Sequence, residues 1–159
     1  MKEAAFLAKL KRQGKLASVE PSEEIKLAYI AKSESNLISA KILLENGRLE
    51  EAVYLAYYSM YHMLTSLLFR TGIKCENHAV SISLLKEVFG LDNSGILKAK
   101  SERVDKQYYV DFVLAGSEVE DTIKAAEDFN RMMLDFISKL NAGTIDTYRK
   151  RFAAMLDGL

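Results

Sequence analysis

Residues 52–69, AVYLAYYSMYHMLTSLLF, contain no Asp, Glu, Lys or Arg, in a chain of which 28% is charged. They contain no Gly or Pro either, so nothing in them interrupts a helix. A helix without a charged face has no side suited to bulk water. It has to be covered nearly all round by its own core, by a second subunit or by a ligand. The run is just long enough to cross a bilayer, which takes about 17–25 apolar residues. Tyr54, Tyr57, Tyr58, Tyr61, His62, Ser59, Thr65 and Ser66 are too many polar groups for a bilayer centre, so a membrane span is rejected.

The remaining composition fits a buried helix of this kind. With 159 residues the expectation is one domain over 1–159, its helical core at about 21–140 and helical extensions at 1–20 and 141–159. A chain of that length buries roughly two-thirds of its unfolded surface. Hydrophobic content of 49% excludes disorder by composition, and a formal net charge of zero excludes a whole-protein pull on nucleic acid while leaving local basic patches open. Cys75 is the only cysteine, which rules out an intramolecular disulfide or a cysteine-based zinc site and fits a cytoplasmic location. The amphipathic N-terminal segment lacks the continuous apolar stretch of a signal peptide.

One proline and eight glycines divide the chain, and each segment between them has helical rather than strand periodicity. The expected helices begin with residues 2–15. A second starts at Glu20-Pro21-Ser22-Glu23-Glu24, with proline in its first turn, and ends at Gly47. A third spans 49 to Gly72, and a loop at 73–77 leads to a short fourth at 78–89. A fifth covers about 96–109. Ser117 and Glu120 form a capping box for a sixth that reaches Leu140, and Thr144 caps a last helix over 145–156.

Spacing assigns the faces. Leu49, Ala52, Val53, Ala56, Tyr57, Met60, Leu64 and Leu67 form a core stripe on the third helix. Tyr54, Tyr58, Tyr61 and Thr65 form a second stripe that needs a second subunit or a ligand. Ser33, Ser35, Asn36 and Ser39 let a neighbour approach the second helix closely. Val119, Ala126, Phe129, Met133, Phe136 and Leu140 form the buried stripe of the sixth.

An ordered set of positions then carries a resemblance. Ala40, Leu43, Leu44 and Gly47 are followed by Ala52, Ala56, Tyr57, Tyr58, Met60 and His62, by Leu67, Leu68 and Gly72, and by His78 and Phe89. This pattern resembles an uncharacterised prokaryotic branch of the HEPN superfamily (higher eukaryote and prokaryote nucleotide-binding), over about 25–140. Arg103 and Tyr108 match two positions of that branch's R-x-x-A-D-Y element, whereas Lys106 and Gln107 replace its Ala-Asp pair. The resemblance implies an all-α, up-and-down bundle of four to five core helices, usually a homodimer. Many relatives are ribonucleases, often toxins, with an R-x(4–6)-H motif at the dimer interface. Others are inactive partners of small nucleotidyltransferases. Here Arg70 and His78 have seven residues between them, with Gly72 among these, and no histidine follows Arg103.

Two chemistries remain for the site residues. Metal-free RNA cleavage needs a base for the 2′-hydroxyl and a cation for the developing phosphate charge. His78 with Arg103 or Arg70 has those groups; otherwise His78 caps or packs its helix. Tyr58, His62 and Tyr108 are expected nucleotide- or RNA-binding residues, through stacking on a base. The alternatives are interface packing for the tyrosines and a hydrogen-bonded interior imidazole for His62. Lys98, Lys100, Arg103 and Lys106 make a locally basic helix that can equally be a solvated face. Paired Glu-x-x-His motifs, a glycine-rich phosphate loop and a nucleophile elbow are lacking, so no metal or cofactor is expected.

The leading expectation is a nucleotide- or RNA-binding protein, the partner of a minimal nucleotidyltransferase in a toxin–antitoxin type pair. Its alternatives are a metal-independent endoribonuclease and a non-catalytic helical dimer.

Overall fold

The computed structural model describes residues 1–108 and 114–159, with side chains described outside 104–108. Among these residues the chain forms an all-α bundle with one small antiparallel ladder. Its elements are α1 (Lys2–Arg12), β1 (Leu16–Ser18), α2 (Glu23–Glu45), α3 (Leu49–Arg70), β2 (Ile73–Cys75), α4 (His78–Glu87), α5 (Ser94–Tyr108), α6 (Gly116–Ser138) and α7 (Ala142–Asp157).

The uncharged stretch lies within α3, which packs against α2, α4, α5 and α6. Ala52, Val53, Ala56, Tyr57, Met60, Leu64 and Leu67 are fully buried, as the helical spacing requires, and Leu49 packs against the same core as a half-buried residue. Val119, Ala126, Phe129 and Met133 of α6 join them, with Phe136 and Leu140 at the edge. No helix among the described residues is long and apolar enough to cross a membrane.

Small polar residues hold α2, α3 and α6 together. Ser33 Oγ donates to the Ser59 carbonyl (2.6 Å), and Ser59 Oγ donates back to the Ser33 carbonyl (2.8 Å). Asn130 Nδ2 then donates to Ser59 Oγ (2.9 Å) and Ser33 Oγ (3.3 Å). All three side chains are buried, and in a low-dielectric interior such a network fixes the helices' mutual register.

Within the expected loop at 73–77, Ile73–Cys75 form a strand instead. Leu16, Ala17 and Ser18 pair antiparallel with Cys75, Lys74 and Ile73. Three-residue strands are too short to show an alternating pattern, and their pairing partner is remote in sequence. The ladder also explains why α1 stops at Arg12 rather than at Lys15: Gly14 turns the chain at φ +70° into β1.

Three helix starts differ from expectation. Pro21 lies outside α2, because Ser22 is the N-cap and its hydroxyl accepts from the Ile25 N–H (3.0 Å). α6 begins at Gly116 with Ala115 at the cap and no side-chain cap bond, so Ser117 and Glu120 form no capping box. At α7 the box is made one turn earlier than expected, by Asn141 with Thr144.

Candidate functional site

His78 is the first residue of α4, and its place is set by its neighbours in sequence. Asn77 caps the helix by accepting the Val80 N–H on its side-chain oxygen (2.9 Å). Just before it, β2 is pinned to β1. The imidazole therefore projects from a doubly fixed corner onto α3. There Nδ1 hydrogen-bonds the Tyr57 hydroxyl (2.8 Å), and the ring stacks on Tyr61 with centroids 3.7 Å apart and planes 14° apart. Tyr57 and Tyr61 are one helical turn apart, so both meet the same ring.

Arg103 reaches the group from α5. Its Nη1 donates to the Tyr58 hydroxyl (2.8 Å), and its guanidinium lies 4.8 Å from the Tyr57 ring centroid and 5.4 Å from that of Tyr58. Its Nε is buried with no hydrogen-bond partner among the described residues. His62 completes the cluster, stacked on Tyr58 (6.1 Å) and tilted against Tyr29 of α2 (5.8 Å). The interior hydrogen bond expected for His62 is not made at Nδ1, which is buried and without a partner among the described residues.

His78, Arg103, Tyr58 and His62 are thus brought together. Arg70 is not: its Nε pairs with Glu23 at 2.9 Å, and helical rise puts it about 20 Å along α3 from Tyr57. Tyr108 falls outside the residues whose side chains are described. Tyr58 and Tyr61, assigned to a second subunit or ligand, are half-buried against the chain's own core. Tyr57, assigned to the core alone, also supplies the hydroxyl that holds His78. Its one-turn spacing to Tyr61 was visible in the sequence, but the ring they flank was not.

Burial sets the charge state of these groups. It lowers the pKa of His62 from the ordinary 6.5 to about 4, with Lys32 and His78 adding to the effect. For His78 burial again acts first, followed by the charges of Arg103 and Lys100, and all three lower its pKa. Burial also drives the Tyr57 phenol upward, against the opposing charge of Arg103. Both imidazoles are therefore neutral at pH 7, beside a permanent cation.

A pH dependence follows. A histidine whose folded pKa lies below its unfolded value is stabilising above the unfolded pKa, and that stability is lost as pH falls toward the folded pKa. Thermal stability is expected to decline between about pH 6.5 and pH 4, because the unfolded chain takes up a proton that folded His62 refuses. In His62→Gln the melting temperature should vary less over this window; a slope identical to that of the unaltered chain would contradict the assignment.

Chemically, the cluster offers a cation with an unused N–H, a neutral imidazole whose Nε2 makes no hydrogen bond among the described residues, and aromatic faces. That set suits a phosphate-bearing aromatic ligand. Among the described residues, no group of three or more His, Cys, Asp or Glu is placed to hold a metal ion.

The model of the HEPN domain matches residues 27–138, which include every described member of the cluster. The chain is 40% identical over 82 residues to UPF0332 protein PH1297 of Pyrococcus horikoshii, an alignment covering 50% of this chain and 52% of that protein. It is 41% identical over 69 residues to a Methanocaldococcus jannaschii protein named "Putative toxin MJ0605", covering 43% of this chain and 48% of the relative. The matched stretch spans about half the length of each of these curated relatives. With the family model matched over residues 27–138, most of its length, the chain belongs to the HEPN family.

Proposed function

We propose that this chain binds a nucleotide or an RNA strand at the Arg103–His78–Tyr58 cluster. The observation that carries the proposal is the buried, unpartnered Arg103 Nε beside a neutral imidazole. A guanidinium with an unused donor is suited to a phosphate oxygen, and Tyr58 and His62 offer faces on which a base can stack. Calorimetric titration with nucleoside monophosphates tests it directly; absence of heat at millimolar ligand would overturn it. The proposal includes a homodimer and a small nucleotidyltransferase as partners. A monomeric mass in light scattering at micromolar concentration would count against the first, and failure to co-purify with a co-expressed nucleotidyltransferase against the second.

A second reading, metal-independent RNA cleavage, is favoured by the state of His78. In the tautomer with the proton on Nδ1, that N–H donates to Tyr57, and Nε2 presents a lone pair. Nε2 then removes the 2′-hydroxyl proton, O2′ bonds to phosphorus, and the P–O5′ bond breaks; O5′ takes a proton from solvent water, and the resulting hydroxide takes the proton held on Nε2, leaving a 2′,3′-cyclic phosphate, a 5′-hydroxyl and a neutral imidazole. Arg103 neutralises the charge growing on the phosphate. The Methanocaldococcus jannaschii relative is named a "Putative toxin", and RNA cleavage is one way in which a toxin can act. RNA incubated with the chain in EDTA is expected to be cut, and His78→Ala to reduce the rate at least about 100-fold, the usual contribution of a general base. Cleavage undiminished in that variant would rule out His78 as the base.

A further inference from the structure

The segment that precedes the family match carries a charge pattern of its own. Residues 27–138 hold twelve basic and sixteen acidic residues, whereas the remaining residues hold ten basic and six acidic. The net-neutral chain is therefore an acidic module flanked by basic ends. The basic excess is concentrated in residues 1–15, where Lys2, Lys9, Lys11, Arg12 and Lys15 face a single acid, Glu3.

Strand pairing brings this segment to the site. Leu16 is opposite Cys75, and Glu76 N–H donates to the Lys15 carbonyl (2.9 Å), so Lys15 lies across from the residues that lead into His78. With paired strands about 5 Å apart and at most about 3.3 Å per residue from Glu76 to His78, the backbones of Lys15 and His78 lie within about 12 Å of each other. Lys9, Arg12 and Lys15 are exposed and make no ion pair among the described residues. Lys9 and Arg12 are three residues apart and share one side of α1. Lys11 anchors the helix by donating to the Leu156 carbonyl of α7 (2.7 Å). The charges of Lys100 and Arg103 on α5 thus act on His78, and the β1–β2 pairing brings the backbone of Lys15, which Arg12 and Lys9 precede in the chain, to the same corner.

We propose that α1 and β1 form a basic track for the phosphate backbone of a single-stranded polynucleotide, one nucleotide of which occupies the Arg103–His78 site. The inference rests on the nucleotide-binding reading of that site and adds a surface outside the matched family domain that holds the rest of the strand. Exposed cations without ion pairs among the described residues suit a backbone with one negative charge per nucleotide, and each contact releases a counterion. The exposed side chains impose no sequence preference.

The test uses two probes on the full chain: a fluorescein-labelled 2′-O-methyl oligouridylate of twelve nucleotides, which cannot be cleaved through a 2′-hydroxyl, and uridine monophosphate. Lys9→Gln/Arg12→Gln/Lys15→Gln is expected to bind the oligonucleotide at least about tenfold more weakly. Its log affinity against log salt should flatten by about 2, the loss of three single-strand phosphate contacts. Affinity for the monophosphate should not change, and circular dichroism melting controls for folding. Oligonucleotide bound equally by the triple variant, bound no more tightly than the monophosphate, or not bound at all overturns the track; the last result would point to an acidic protein surface instead. Oligonucleotide binding that depends on the three residues while monophosphate binding is absent would sustain the track and remove the nucleotide site.

Discussion

Arg103→Ala is expected to weaken nucleotide or RNA binding by about 10- to 100-fold, since a charge-assisted hydrogen bond to phosphate contributes roughly 1.5–3 kcal/mol. The geometry gives the reason. The guanidinium lies over the rings of Tyr57 and Tyr58 and is fixed by its bond to the Tyr58 hydroxyl, so the cation is held in place before a ligand arrives. Lysine should not restore the affinity: a single ammonium cannot both bond Tyr58 and present a second planar donor. Tyr58→Phe separates positioning from charge. It removes only the hydroxyl that orients Arg103, and a smaller loss is expected, on the order of 1 kcal/mol. Calorimetry with a nucleoside monophosphate, alongside melting curves that confirm folding, measures all three variants. Undiminished affinity in Arg103→Ala would remove Arg103 from the site.

The largest loss of stability is expected from Gly72→Ala. Gly72 sits at φ +73°, a left-handed conformation that costs an L-residue roughly 1–2 kcal/mol. Space is lacking as well. A Cβ there would overlap the Arg149 guanidinium and the Val19 carbonyl oxygen. Arg149 Nη1 donates to three carbonyls at this point: Val19 (2.7 Å), Thr71 (3.0 Å) and Gly72 (3.2 Å). The Val19 N–H also donates to the Gly72 carbonyl (2.8 Å). An added methyl group therefore displaces the side chain that ties α7 to the β1–β2 ladder and pushes on backbone that cannot yield. A loss of about 3–5 kcal/mol follows, in the range reserved for strained or sterically blocked positions. For a chain of this size that lowers the melting temperature by roughly 10 °C. Arg149→Met, which removes the donors without adding strain, should lower it by less. A Gly72→Ala chain that melts within about 2 °C of the original would contradict this account of the junction.

Much of the architecture was legible because helical signals are local. The apolar stripe of α3 and the stop at Gly47 depend on residues within a turn or two of one another, and the structure keeps both. The caps of α6 and α7 differ from expectation in register: Ser117 and Thr144 are polar residues two and three positions beyond the caps that form, Ala115 and Asn141. The strands are illegible in the sequence for a different reason. Leu16–Ser18 and Ile73–Cys75 are each too short to display alternation, and each is stabilised only by the other.

The candidate site divides along the same line. His78, Arg103, Tyr58 and His62 were identifiable by residue type and by the family pattern, and the structure draws them together. Arg70, equally basic and nearer to His78 in sequence, was indistinguishable from Arg103 until α3 carried it to the Glu23 end of the bundle.

By itself the sequence determined that this chain is a helical HEPN protein built around one uncharged helix, because periodicity, breakers and an ordered motif are properties of neighbouring residues. Only the tertiary structure decided which arginine meets which histidine, and that Tyr57 holds the imidazole while filling the core. Those contacts join residues 21 and 45 positions apart, and they exist only where the burial of α3 against α4 and α5 brings them within hydrogen-bond range.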